Sequence, residues 1–167
     1  MPAPAPTPSR IGPRARGYPT LAVWAGHHDL AGGPVVEALL RRAAERPAEA
    51  AGVLADARAF RSALHACLTD PQDGAALGAV AAVVQEAGRS AVLIRGEDGL
   101  AHWRLPPSAG LRLPLYAAAR AAGELLADPR RFTVRRCPST GCGWLFPDAS
   151  GRRRWCSLAT CGTRPAS

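Results

Sequence analysis

The chain has 167 residues, 47% of them apolar, enough for one compact core and a small appendage. All 21 cationic side chains are arginine, set against 13 acidic residues for a net charge of +8. No apolar run reaches the roughly 20 residues of a membrane-spanning helix, and MPAPAPTPSRIGPRARG lacks the apolar core of a signal peptide, so a cytoplasmic protein is expected.

Residues 1–17 read as a disordered arm rich in Pro and Ala with three arginines, because they offer too little apolar surface to offset ordering entropy. Pro19 to Trp24 forms a short extended or helical entry, broken by AGHHDLAGGP. Pro34, at a first-turn position, opens a helix whose Val35, Val36, Leu39 and Leu40 share a face, and Arg46-Pro47 ends it. The next helix runs from Ala48 to Thr69. Its Val53, Leu54, Ala57, Phe60, Leu64, Cys67 and Leu68 hold the clearest three- and four-residue spacing in the chain. Asp70-Pro71 closes it. A further helix covers Gln72 to Ala87, with Leu77, Val80, Ala81, Val83 and Val84 expected inside.

The period then changes. SAVLIRGEDGLAHWRL reads as a hairpin, with Ala91–Arg95 and Leu100–Leu105 as strands, Gly96–Gly99 as the turn, and Trp103 expected to pack. A last helix spans Leu113 to Ala127, and Asp128-Pro129 marks a boundary. The fold class is therefore α+β, mainly α. Residues 18–128 make a helical domain with one β-hairpin, and residues 129–167 make a small module that holds four of the five cysteines.

Charge divides along the same line. Residues 1–128 carry 13 Arg against 12 acidic residues, a net of +1. Residues 129–167 carry 8 Arg against Asp148 alone, a net of +7. An all-arginine chain rich in Ala, Gly and Pro has the composition of a GC-rich genome, so this concentration says more than the total.

Cys137, Cys142, Cys156 and Cys161 fall within 25 residues, while Cys67 lies on the apolar stripe as a small core residue. The spacing is C-x4-C, thirteen residues, C-x4-C. Two tight turns that each present two thiolates, joined by a loop, meet the needs of a tetrahedral structural zinc, one per chain. In a reducing cytosol such clustering favours metal over disulfides, and the pairs are too symmetric for the common ferredoxin spacings. Pro138 and Gly141 suit the first turn, and Gly143 a backbone angle that few residues adopt. Trp144, Leu145, Phe146 and Trp155 supply a mini-core.

With its four thiolates this module resembles the CGNR zinc finger. The matching positions are Cys137 and Cys142, Phe146 and Asp148, Ser150, Arg152 to Arg154, Trp155-Cys156-Ser157, and Cys161-Gly162-Thr163-Arg164. Thr163 stands where that family has Asn. Proteins of this kind carry an N-terminal helical domain called ABATE, described as a stress-induced transcriptional regulator, and residues 18–128 resemble it in layout. The resemblance implies transcriptional regulation.

Arg136, Arg152, Arg153, Arg154 and Arg164 surround the metal module, and guanidinium groups on a rigid frame make bidentate contacts to phosphate or guanine. DNA is the expected partner of the finger. The alternative is a zinc-stabilised protein–protein interaction module without DNA binding, its arginines a solvated face. In the DNA-binding reading the helical domain senses a small-molecule effector or mediates self-association as a homodimer. His27, His28 and Asp29 read as a loop, since adjacent histidines in an extended segment diverge. His65 reads as helix surface or a partly buried, satisfied residue. No nucleophile elbow, phosphate loop or metalloprotease helix occurs in the sequence, so no enzyme is expected.

Overall fold

The fold was analysed from a computed structural model, which describes residues 17–28 and 32–162. The arm up to residue 16, Asp29, Thr163 and Arg164 lie outside the described residues.

Five helices form the body: α1 (Tyr18–His27), α2 (Gly33–Glu45), α3 (Pro47–Thr69), α4 (Gly74–Ser90) and α5 (Leu113–Ala127). A hairpin of β1 (Val92–Arg95) and β2 (Ala101–Arg104) stands between α4 and α5. A second hairpin, β3 (Val134–Arg136) and β4 (Leu145–Pro147), belongs to the cysteine module. Prolines sit in the first turns of α1, α2, α3 and α5, where a missing N–H costs nothing. Asp73 caps α4 instead, its carboxylate accepting from Ala76 N.

α3 is the spine. Its 23 residues reach roughly 35 Å at 1.5 Å per residue, long enough to serve three neighbours in turn. Its first turns place Ala50 and Val53 in a core with Tyr18, Ala22, Leu39 and Leu111. The Tyr18 hydroxyl donates to the Leu111 carbonyl at 2.8 Å and ties α1 down. Its middle places Phe60 in a second core with Val80, Ala87, Leu115, Tyr116, Ala119 and Ala122 of α4 and α5. Between these cores Arg112 binds Asp56 of α3 (2.7 Å), Glu86 of α4 (3.2 Å) and the Tyr116 hydroxyl (2.9 Å). The last turns of α3 meet the cysteine module.

Two expectations about exposure and one about local structure are corrected. Leu77 is 48% exposed. The face of α4 that turns inward is Ala76, Val80 and Ala87, small residues that let α4 approach α5, where a Cβ on Gly123 would lie 2.9 Å from Val84 Cγ1. Trp103 is 59% exposed, because the first hairpin projects from the helices instead of packing on them. His27 ends α1 and is not in a loop, while His28 is the turn residue that follows, its ring 5.0 Å from that of Trp24.

Candidate metal centre

Two tight turns and one wide turn bring the sulfurs together. Cys137 follows β3 and its N–H bonds the Trp144 carbonyl at 2.8 Å, closing the β3–β4 hairpin. Cys142 N–H bonds the Ser139 carbonyl at 3.0 Å, and Gly141 (φ 71°) and Gly143 (φ 64°) flank Cys142 in the left-handed region. Only glycine takes that backbone without strain, so the knuckle spells G-C-G. Of the second pair, Cys161 lies on the wide turn Leu158–Gly162, where Gly162 N–H and Cys161 N–H both reach the Ser157 carbonyl, and Cys156 lies just before that turn.

Cys142 and Cys156 Sγ are 3.5 Å apart, Cys156 and Cys161 3.6 Å, and Cys142 and Cys161 3.5 Å. All four donor sulfurs lie within 4.8 Å of one another, and Cys137 and Cys161 are buried. A disulfide would need about 2.05 Å, and all five cysteines are free. Four thiolates at about 2.3 Å from one ion would stand about 3.8 Å apart, close to the spacings found. The donor set and its geometry fit a single tetrahedral metal ion with no open position.

The module prepares one thiolate in advance. Burial pushes the Cys137 thiol up, but N–H groups of Cys156 and Ser139 and the neighbouring thiols outweigh it and bring it to about 7. Burial and the surrounding thiols push Cys156 up. Burial also raises Cys142, although the Trp144 N–H donates to its sulfur. A divalent cation must therefore displace protons from the remaining thiols, which makes retention fall as pH falls.

Asp148 holds the loop between the pairs. Its side chain is 1% exposed, and its Oδ1 accepts from Ser150 Oγ and Arg153 N, each at 3.2 Å. Its Oδ2 faces Arg135 Nε at 3.4 Å, and its own N–H bonds the Thr133 carbonyl at 2.8 Å. Burial works against ionisation, but the Arg153 N–H, the Ser150 hydroxyl and the Arg135 charge keep its pKa below the ordinary carboxylate value. The mini-core is Phe146 and Trp155 against the cysteines, whereas Trp144 is 46% exposed.

The arginines separate into two groups. Arg153 is a structural residue: its guanidinium donates to the carbonyls of Trp155 (3.0 Å) and Cys156 and lies 5.0 Å over the Phe146 ring. Arg130 pairs with Asp128 at 2.8 Å. Arg136, Arg152 and Arg154 are exposed and form no ion pair among the described residues. Replacing Arg153 with alanine should speed chelator extraction of the metal severalfold, as followed by a chromogenic chelator, while alanine at Arg152 should leave the rate unchanged.

Contacts without a signal in the sequence join this module to the helical body. His65 Nε2 lies 3.1 Å from the carbonyl of Gly143, beside Cys142. Arg131 donates to the Cys67 carbonyl at 3.3 Å. Pro71 offers no N–H four residues beyond Cys67, so that carbonyl lacks its helical donor and Arg131 supplies one.

Residues 133–167 match the family described as "CGNR zinc finger". Residues 11–129, well over half of the chain, match ABATE, "Putative stress-induced transcription regulator". The chain belongs to the ABATE family. This ABATE protein thus joins a regulator-type helical domain to a finger-type cysteine cluster, and neither family is one of enzymes. No curated protein matches the chain. No described helix of this ABATE protein is long and apolar enough to cross a membrane.

Proposed function

We propose that this is a cytoplasmic zinc-dependent transcription regulator in which Cys137, Cys142, Cys156 and Cys161 hold one structural zinc and the finger they fix contacts DNA. Four sulfurs around the space of a single ion favour zinc over a multi-iron cluster, which needs its cysteines further apart. The domain limits follow as residues 18–128 for the regulatory body and 129–167 for the finger.

The observation that supports DNA contact is that Arg136, Arg152 and Arg154, around a metal-fixed frame, are exposed and form no ion pair among the described residues. Arg164 adds to them from beyond the described residues. Neighbouring arginines with internal partners hold the frame, which leaves these guanidinium groups free for phosphates. Three phosphate contacts give a log–log salt slope of about −3 on duplex DNA, and each alanine replacement should reduce it by about 1. Fluorescence anisotropy across a salt series, with mixed-sequence duplex, reads this directly. Binding that ignores salt, or a slope unmoved by all three replacements, defeats the proposal.

The rival reading is a protein–protein module. The exposed Trp144 and Leu158 on the same finger favour it, since they would seat in an apolar partner surface. Its mark is association that changes little with salt and is lost on replacing Trp144 rather than the arginines.

A further inference from the structure

The hairpin β1–β2 is an incomplete sheet. Both strands are nearly all exposed, and neither makes more than marginal contact with any element but the other. Two strands alone are marginal in water, and an unpaired edge invites a third. Leu93 and Trp103 lie directly opposite each other, 56% and 59% exposed, and Leu100 is 64% exposed.

The ladder fixes which backbone groups point outward. Gly96 N–H bonds the Leu100 carbonyl at 2.7 Å, so with the observed register Ile94–His102 and Val92–Arg104 are the other hydrogen-bonded pairs. Leu93 and Arg95 on β1, and Ala101 and Trp103 on β2, therefore aim their N–H and C=O groups away from the hairpin. The β1 edge carries the charge of Arg95, a device that discourages pairing. The β2 edge is apolar at both outward positions. Beside it lies a groove of about 490 Å³ lined by Trp103, Val35 of α2, and Ala117, Ala121, Arg120 and Glu124 of α5.

We infer that the β2 edge is a homodimer surface, on which β2 of a second copy pairs antiparallel about a two-fold axis at Trp103 to give a four-stranded sheet. Trp103 then faces Trp103 of the second copy, and Ala101 faces its Leu105. About six main-chain hydrogen bonds form before Pro106, which has no N–H, ends the pairing. An antiparallel edge is complementary to itself, so one patch serves both partners. Charge points to self-association here and not at the finger. Arg95 and Arg104 of the hairpin balance Glu97 and Asp98, whereas residues 129–167 carry +7 and repel their like. The inference depends on neither the metal nor DNA.

Light scattering on the full-length, metal-loaded chain tests it, from micromolar to submillimolar concentration. The wild type should show the mass of two chains. Ala101→Pro, which removes an N–H that only the second copy uses, and Trp103→Lys should each show the mass of one chain with unchanged helical circular dichroism. The lysine variant removes no backbone donor, so it carries the test even if the proline disturbs the hairpin. Arg95→Glu, on the opposite edge, should remain dimeric. A monomeric wild type, a dimer that survives Trp103→Lys, or a dimer lost in Arg95→Glu overturns the assignment.

Discussion

Cys142→Ser should cost the protein the order of its C-terminal module while α1–α5 stay folded. The module buries only Cys137, Cys161 and Phe146, with Trp155, Cys142 and Cys156 partly buried against them, too little apolar surface to hold without metal. Structural zinc contributes apparent free energies of about 10–16 kcal/mol to such small modules. Removing one of four thiolates forfeits most of that. Far-ultraviolet circular dichroism should retain the helical signal, the near-ultraviolet signal of Trp144 and Trp155 should collapse, and zinc content should drop to trace levels. Cys156→Ser should do the same. Acid should mimic both, since every retained metal requires protons to leave thiols that burial holds high, Cys156 foremost.

Leu115→Ala should give the converse. Leu115 is 1% exposed at the centre of the second core, between α3, α4 and α5. Truncations of this kind cost about 3 kcal/mol, a large part of the roughly 5–15 kcal/mol by which a domain is stable. Chemical denaturation followed at the helical signal should show an earlier midpoint. The finger should keep its metal, because Leu115 belongs to the second core and the four cysteines belong to a separate one. The two variants together ask whether the chain holds two separate stabilising centres. If Leu115→Ala released zinc, the cores would be one.

Local signals in the sequence account for the helices well. The span Leu113–Ala127 and the end of α3 at Thr69 follow from Pro114, Asp70-Pro71 and Asp128-Pro129, whose effects are steric and need no tertiary context. The four cysteines were legible for the same reason: their chemistry is demanding and their spacing short. Burial was less legible. Hydrophobicity favours Leu77 as a core residue, but the close α4–α5 approach selects the alanine face and turns Leu77 outward. Trp103 reads as a packed residue from the alternation of the strand, and only the tertiary arrangement shows that the hairpin leaves the body.

Roles among like residues were not legible at all. Nothing in RRR distinguishes Arg153 from Arg152 and Arg154; the turn after Gly151 (φ 68°) decides which guanidinium folds back over Phe146. The contact of His65 with Gly143 spans 78 positions and has no periodic trace. The motif position of Asp148 does not by itself give its role; its bonds to Ser150, Arg153 and Arg135 do.

X-ray absorption at the zinc edge of the purified, full-length chain tests the centre most directly. One zinc per chain, surrounded by four sulfurs at about 2.3 Å, is the result expected from the cysteine geometry. A metal-free protein, or a zinc shell containing nitrogen or oxygen, would contradict it.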